Sequence, residues 1–203
     1  MTDTLTYYNK NAATFAAGTV DVDFAQIQDL FLEYLPEGGK ILDFGCGSGR
    51  DTAYFLRKGY EVDATDGSPE LCEIASEYTG ITVRQMLFEE LDEREVYDGI
   101  WACASILHVE KAKLPDILKR MAKAVKENGT IYVSFKYGDF EGMKDGRYFT
   151  YLTEERFGEL VKEIPELRIE KLWVSGDVRA GRGEEMWLNM ILGKDDVGYC
   201  KIV

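Results

Sequence analysis

The stretch Ile41-Leu42-Asp43-Phe44-Gly45-Cys46-Gly47-Ser48-Gly49-Arg50 carries residue types suited to holding a ligand against backbone. Glycines let a strand turn sharply into a helix and let a ligand approach without meeting Cβ atoms. The following helix offers unpaired N–H groups at its start. The loop also falls at the carboxyl end of a strand, where open α/β sheets bind ligands. Its spacing is Gly-x-Gly-x-Gly, with Arg50 in the place of a dinucleotide-fold glycine. Asp43, two residues before Gly45, repels a pyrophosphate and suits an ammonium group. The loop therefore points away from nicotinamide and flavin dinucleotides and toward an aminoacyl-type ligand. Asp66 closes the next apolar run, Val62-Asp63-Ala64-Thr65-Asp66-Gly67-Ser68-Pro69, where a carboxylate can accept both hydroxyls of a ribose. Taken alone, Asp66 reads equally well as a turn or helix-cap acid.

Residues so far apart in the chain meet only if a sheet brings its strand ends to one edge. From Lys40 onward, β-rich runs alternate with helical ones. Strands are predicted at Ile41 to Phe44, Glu61 to Thr65, Ile81 to Gln85, Gly99 to Cys103, Thr130 to Phe135, Leu167 to Ser175 and Met186 to Leu192. Asp51 to Lys58 reads as a helix closed by Gly59. Ser68 and Pro69 open another, whose apolar face holds Leu71, Ile74, Ala75 and Tyr78. A third runs from Pro115 through Ala124 with Asn128-Gly129 as its stop, and Thr153 caps a fourth to about Ile164. This order predicts an α/β fold: a doubly wound, Rossmann-like, seven-stranded, mostly parallel sheet with helices on both faces. The last strand is antiparallel, because only a loop (residues 176–183) joins it to its predecessor. Upstream, Phe24, Ile27, Phe31 and Tyr34 form a helical stripe that packs on the sheet. Residues 1–203 read as one domain, with 1–38 an amino-terminal helical lid or packing segment.

Composition narrows the partners. The chain has 203 residues, a formal charge of −13 and a pI near 4.6. Acidity disfavours nucleic acid and anionic membranes. The longest apolar run, Gly99 to Val109, is about half the ~20 residues of a membrane-spanning helix. Met1-Thr2-Asp3-Thr4 lacks the basic and apolar regions of a secretory signal. Cysteines at 46, 72, 103 and 200 form no Cys-x-x-Cys pair, so reduced thiols and a cytoplasmic setting are expected. His108 is the sole histidine, and no metal is expected.

These residues together resemble the class I S-adenosylmethionine-dependent methyltransferases, from about Tyr7 to Leu192. Asp43 to Gly49 is similar to that family's first motif, Val62 to Leu71 to its second, and Asp98 to Val109 to its fourth-strand motif. Tyr7-Tyr8-Asn9-Lys10-Asn11-Ala12 and Arg84-Gln85-Met86-Leu87-Phe88 most resemble small bacterial methyltransferases of the tellurite-resistance type. The resemblance implies S-adenosylmethionine as cofactor. It gives Asp43 and the backbone of Gly45, Gly47 and Gly49 to the methionine part and Asp66 to the ribose, with Cys46, Gly67 and Ser68 also in the cofactor site. Leu87 and Phe88 would flank the adenine, and Cys103 and Ala104 the methionine–ribose junction. Tyr8, Ala12 and Phe15 share one helical face and match the family's amino-terminal lid; a plain hydrophobic edge is the alternative.

Methyl transfer from a sulfonium is an in-line displacement that needs alignment and exclusion of water. A base is needed only for a poorly acidic acceptor. His108 is the candidate base, or else a structural cap after the fourth strand. Cys103 reads as a small buried thiol rather than a nucleophile. Residues 1–135 carry 13 basic and 23 acidic groups, net −10, whereas residues 136–182 carry 9 and 10, net −1. Lys136, Arg147, Arg179 and Arg182 lie in this less acidic part. Asp177 to Gly183 is an anion-binding loop or, alternatively, a solvated loop paired internally. Tyr137, Tyr148 and Phe149 are candidates for an aromatic wall. The expected reaction is methylation of a small acceptor, anionic if the arginines belong to the site. Rival readings are a nicotinamide-dependent oxidoreductase, a non-catalytic S-adenosylmethionine-binding module, and a methyltransferase acting on RNA or protein.

Overall fold

A computed structural model describes residues 2–179, 181 and 184–195. Strand β1 (Lys40–Phe44) is buried at every position after Lys40. Such a run suits a strand covered on both faces. Its neighbours are β2 (Glu61–Asp66) and β4 (Tyr97–Ala102), both parallel to it. The sheet continues with β3 (Arg84–Gln85) beyond β2, and with β5 (Val125–Lys136) beyond β4. Two more strands, β8 (Leu167–Gly176) and β9 (Met186–Lys194), complete seven in the order β3-β2-β1-β4-β5-β9-β8. β9 runs antiparallel to both β5 and β8, and the other parallel pairings need helical crossovers.

The period-two alternation of each strand divides the core. Leu42, Phe44, Ile100, Ala102, Ile131, Val133, Leu188 and Met190 face one side, under α5 (Leu114–Ala124) and α6 (Glu154–Lys162). Ile41, Trp101, Tyr132 and Ile191 face the other, under α2 (Ala25–Leu32) and α3 (Arg50–Arg57). Trp101 and Tyr132 stack there with ring centres 4.0 Å apart. Gly99 permits this layer, since a Cβ on it would stand 2.7 Å from Phe31 and 2.9 Å from Leu35. Helix α4 (Pro69–Thr79) begins on Ser68, whose hydroxyl accepts from the Leu71 N–H, and ends on Gly80 at φ +76°. Helix α1 (Thr2–Ala17) lies against α4 and the strand β7 described next.

Four expectations need correction. The third strand is only Arg84–Gln85. The fourth stops at Ala102, leaving Cys103 beyond it. Asn128-Gly129 falls inside β5, where Asn128 adopts φ +61° and the register with β4 shifts between Tyr97 and Gly99. Tyr34 lies past α2 and is 37% exposed. A hairpin of β6 (Glu141–Lys144) and β7 (Arg147–Thr150) was not expected, because its polar first strand shows no alternation. Its signal was the Asp145-Gly146 turn, with both residues at positive φ. Among the described residues, no helix is long and apolar enough to cross a membrane.

Candidate active site

A cleft opens at the carboxyl ends of β1, β2 and β4, roofed by α1. The turn after β1 is tied to β2: the Gly45 and Cys46 N–H groups both donate to the Thr65 carbonyl, at 2.9 Å. Gly45 has φ +86°, and a Cβ there would stand 2.5 Å from that of Ser105. Gly47 has φ +56° and donates its N–H to Asp66 Oδ2 at 2.9 Å, while the Ser68 N–H donates to Oδ1 at 2.9 Å. One carboxylate thus joins the two loops and forms part of the cleft wall beside Gly67. Burial raises the Asp66 carboxyl, against the opposing pull of the Ser68, Gly47 and Gly67 N–H groups. Leu5, Leu71, Met86, Leu87 and Phe88 line the wall next to it. Phe88 is held by an edge contact with Phe44, 4.9 Å between ring centres.

Three of the residues assigned from sequence stand behind the wall. Asp43 is 2% exposed and accepts the Thr52 hydroxyl at 2.6 Å. Burial, reinforced by the charge of Asp51, pushes the Asp43 carboxyl up to about 8 and so favours its neutral form. Its side chain stands beneath the glycine turn rather than in the cleft lining. Gly49 packs on α4, where a Cβ would meet Thr79 at 2.8 Å, and Ser68 is a buried helix cap. The cleft carboxylate that the sequence reading missed is Asp51. It accepts two bonds from Arg50, one from Gln28 at 2.6 Å and one from the Trp101 indole at 2.9 Å. Its only local signal was its place in the first turn of α3.

Cys103 and Ala104 reach the cleft. Burial pushes the Cys103 thiol up to about 12, so no thiolate forms there near neutral pH. Ala104 takes φ +51° and donates its N–H to Ser134 Oγ at 2.8 Å, fixing the chain as it leaves β4.

From α1, Thr4, Tyr8 and Phe15 project into the cleft. Phe15 covers Gly47, whose Cβ, if present, would lie 3.1 Å from the ring. Tyr8 and His108 Nε2 are 2.8 Å apart, and His108 Nδ1 is 2.6 Å from the Tyr148 carbonyl. A carbonyl only accepts, so Nδ1 carries the proton and bare Nε2 accepts from the Tyr8 hydroxyl. Burial, with Arg147 and Lys136 nearby, pushes the His108 imidazole down to about 4. As a base, His108 is therefore weak and already engaged: it anchors α1 to the hairpin.

The basic residues differ sharply in their surroundings. Lys136 pairs with Glu185 at 2.6 Å. Arg179 forks onto Asp177, which also accepts from the Trp187 indole at 3.1 Å. Burial alone would raise the Asp177 carboxyl, but these donors outweigh it and hold it at about 2. The loop is thus internally neutralised at Arg179, while Arg182 lies outside the described residues. Arg147 reaches the cleft among aromatic rings, its guanidinium 4.6 Å from the centre of Tyr7, 5.1 Å from Phe149 and 5.9 Å from Tyr8. Of the expected aromatic wall, Phe149 lines the cleft; Tyr137 is 38% exposed, and the Tyr148 hydroxyl donates to Glu141. Among the described residues, no three His, Cys, Asp or Glu side chains cluster as a metal site.

A seven-stranded sheet with antiparallel β9, carrying a glycine turn after β1 and a carboxylate at the end of β2, is the class I methyltransferase fold. Residues 41–129 match the methyltransferase domain family. An uncharacterized methyltransferase of Staphylococcus carnosus (strain TM300) is 27% identical over 165 residues, covering 74% of this chain and 80% of the relative. The probable S-adenosyl-L-methionine-dependent methyltransferase TehB of Haemophilus influenzae (strain 10810) is 26% identical, over 44% of this chain and 33% of TehB. The chain likewise spans less than half the length of several other curated relatives that it matches. In fold, it is similar to 1,6-didemethyltoxoflavin-N1-methyltransferase of Burkholderia thailandensis, whose structure holds 1,6-didemethyltoxoflavin and S-adenosylhomocysteine. The TM-score is 0.74 at 23% identity, over 96% of this chain and 87% of that one. The matched segment is a methyltransferase domain, and the chain as a whole is similar in fold to S-adenosylmethionine-dependent methyltransferases. The nicotinamide reading of the glycine turn is set aside.

Proposed function

We propose that this protein methylates a small acceptor, bound in the cleft between the roof helix α1 and the hairpin β6–β7. The observation that carries this reading is the Asp66 carboxylate. Backbone N–H groups on both loops hold it, and it faces the same cleft as Gly45, Gly47 and the apolar rim of Leu87 and Phe88. In that setting Asp66 would accept the ribose hydroxyls, the Gly45–Gly47 backbone would carry the methionine part, and Leu87 and Phe88 would cover the adenine. When bound, S-adenosylmethionine supplies an activated methyl group for in-line displacement. The chain's own residues orient the reactants and exclude water: Tyr8 and Phe15 roof the cleft, while Cys103 and Ala104 form its floor. The one imidazole among the described cleft residues, His108, is a weakened base, which fits an acceptor that arrives ionised. A chain of charge −13 with a cleft closed by its own helix fits a small molecule better than RNA. A single cytoplasmic domain, with 1–38 as lid, is part of the same proposal.

The test is a thermal-shift series with S-adenosylmethionine, S-adenosylhomocysteine, NAD and NADP. Stabilisation by the two sulfur compounds alone is expected; stabilisation by NAD or NADP alone overturns the reading. Binding without turnover on any acceptor would leave the non-catalytic module as the better description.

A further inference from the structure

The cleft has four cationic side chains among its described lining residues: Arg50, Lys136, Arg147 and Arg179. Three are neutralised by carboxylates within the protein. Arg50 pairs with Asp51 at 2.7 Å, Lys136 with Glu185 at 2.6 Å and Arg179 with Asp177 at 2.5 Å. Arg147 differs in kind. It forms no ion pair with any described residue, and its Nε is buried without a hydrogen-bond partner. Its frame is the rings of Tyr7, Tyr8 and Phe149, and the Tyr8 hydroxyl hydrogen-bonds with the guanidinium, which leaves Nε as the unused donor.

A guanidinium withdrawn from water among rings, with a donor unused, carries an unmet desolvation cost. Cation–π contact recovers part of it, but rings accept no in-plane hydrogen bonds. The planar fork is matched by a carboxylate. The surroundings are rigid enough to select one. The Thr4 hydroxyl accepts from the Tyr148 N–H at 2.8 Å, joining α1 to β7. The Tyr8 hydroxyl is fixed on His108, and the Thr150 hydroxyl donates to the Val109 carbonyl at 2.7 Å. Arg147 therefore sits where roof helix, hairpin and the segment after β4 meet. Tyr8 separates it from Phe15, the ring that covers Gly47 in the glycine turn.

Building on the methyltransferase reading above, we propose that Arg147 is the specificity-determining residue for the acceptor, and that it pairs with a carboxylate on a flat, apolar molecule packed along Phe149. Arg179, another of the four basic candidates read from the sequence, is occupied by Asp177. The proposal also accounts for a basic residue on a hairpin that the sheet itself does not need.

The experiment uses the full chain saturated with S-adenosylhomocysteine, titrated calorimetrically with benzoate and with its neutral isostere benzamide. Benzoate is expected to bind in the wild type and benzamide to bind at least about tenfold more weakly, the scale of a charge-assisted pair. Arg147→Met should abolish that preference while keeping S-adenosylhomocysteine affinity within about threefold. Arg147→Lys retains the charge without the fork and should fall between, which guards against a variant that merely misfolds. Equal binding of benzoate and benzamide, or no benzoate binding in the loaded wild type, overturns the proposal. So does an Arg147→Met variant that keeps the preference. A large loss of S-adenosylhomocysteine affinity in Arg147→Met would instead give the arginine to the cofactor's own carboxylate, which also overturns it. Failure of the wild type to bind S-adenosylhomocysteine at all would count against the methyltransferase reading, separately from Arg147.

Discussion

Asp66 and His108 show how burial gives opposite duties to residues that a motif alone cannot separate. Asp66 keeps two backbone donors and still faces the cleft. Asp66→Ala should weaken S-adenosylhomocysteine binding by about 1.5–3 kcal/mol, the range for hydrogen bonds to a charged group. Calorimetry on a variant with unchanged circular dichroism checks this, and unaltered affinity would remove Asp66 from the ribose. His108 is the single histidine, so one imidazole signal reports its titration by NMR. That signal should move near pH 4 rather than 6.5. The sign follows: the folded state binds this proton less readily than the unfolded chain. The histidine's contribution is therefore complete above about pH 6.5 and is lost as pH falls toward 4, by up to roughly 3 kcal/mol. A midpoint at 6 or above would mean that the imidazole is not withdrawn from water in solution.

Among the elements, α1 is held by point contacts rather than by sheet pairing. Phe15 rests on Gly47, Thr4 on β7 and Tyr8 on His108. Gly47→Ala would force a Cβ to 3.1 Å from Phe15 at a φ of +56°. The expected result is a displaced roof helix, seen as faster amide exchange in residues 2–17 and weaker cofactor binding. Unchanged exchange would show that the roof does not depend on this contact. In the loop after β8, Arg179→Ala leaves Asp177 buried with only the Trp187 indole and local N–H groups. Such a carboxylate should destabilise the fold by about 1–3 kcal/mol, read from urea unfolding. Its effect on benzoate affinity should be small, in contrast to Arg147. Equal loss in both variants would contradict the division between a neutralised and an open arginine.

Across the whole molecule, the sheet's two apolar layers meet polar groups only at a few interior points, and Asp43 is one of them. Its folded pKa lies well above its unfolded one, so the folded chain takes up a proton. That contribution favours folding at low pH and is lost as pH rises from about 4 toward 8, the reverse of His108. Asp43→Asn removes the term while keeping a partner for the Thr52 hydroxyl. Relative to wild type, the variant should gain stability from pH 5 to pH 8, measured by denaturant midpoints. A constant difference across that range would show Asp43 to be ionised.

Much of this was legible in the chain because the signals are local. Positive φ at Gly45 and Gly47, the Ser68-Pro69 start, the Gly80 stop and the alternation of β1, β4 and β5 each depend on a few neighbouring residues. They determined the doubly wound sheet and the position of the glycine turn and Asp66. Charge state and pairing did not follow from those signals. Asp43 differs from Asp66 because it lies beneath the turn, against Thr52 and Asp51. Lys136 meets Glu185 only because β5 and β9 run side by side, and Arg147 meets none because the hairpin lifts it among rings. Motif spacing set where the ligand-binding edge lies. Tertiary packing alone decided which of its carboxylates are buried and how its cations are paired, since desolvation and ion pairing depend on residues distant in sequence.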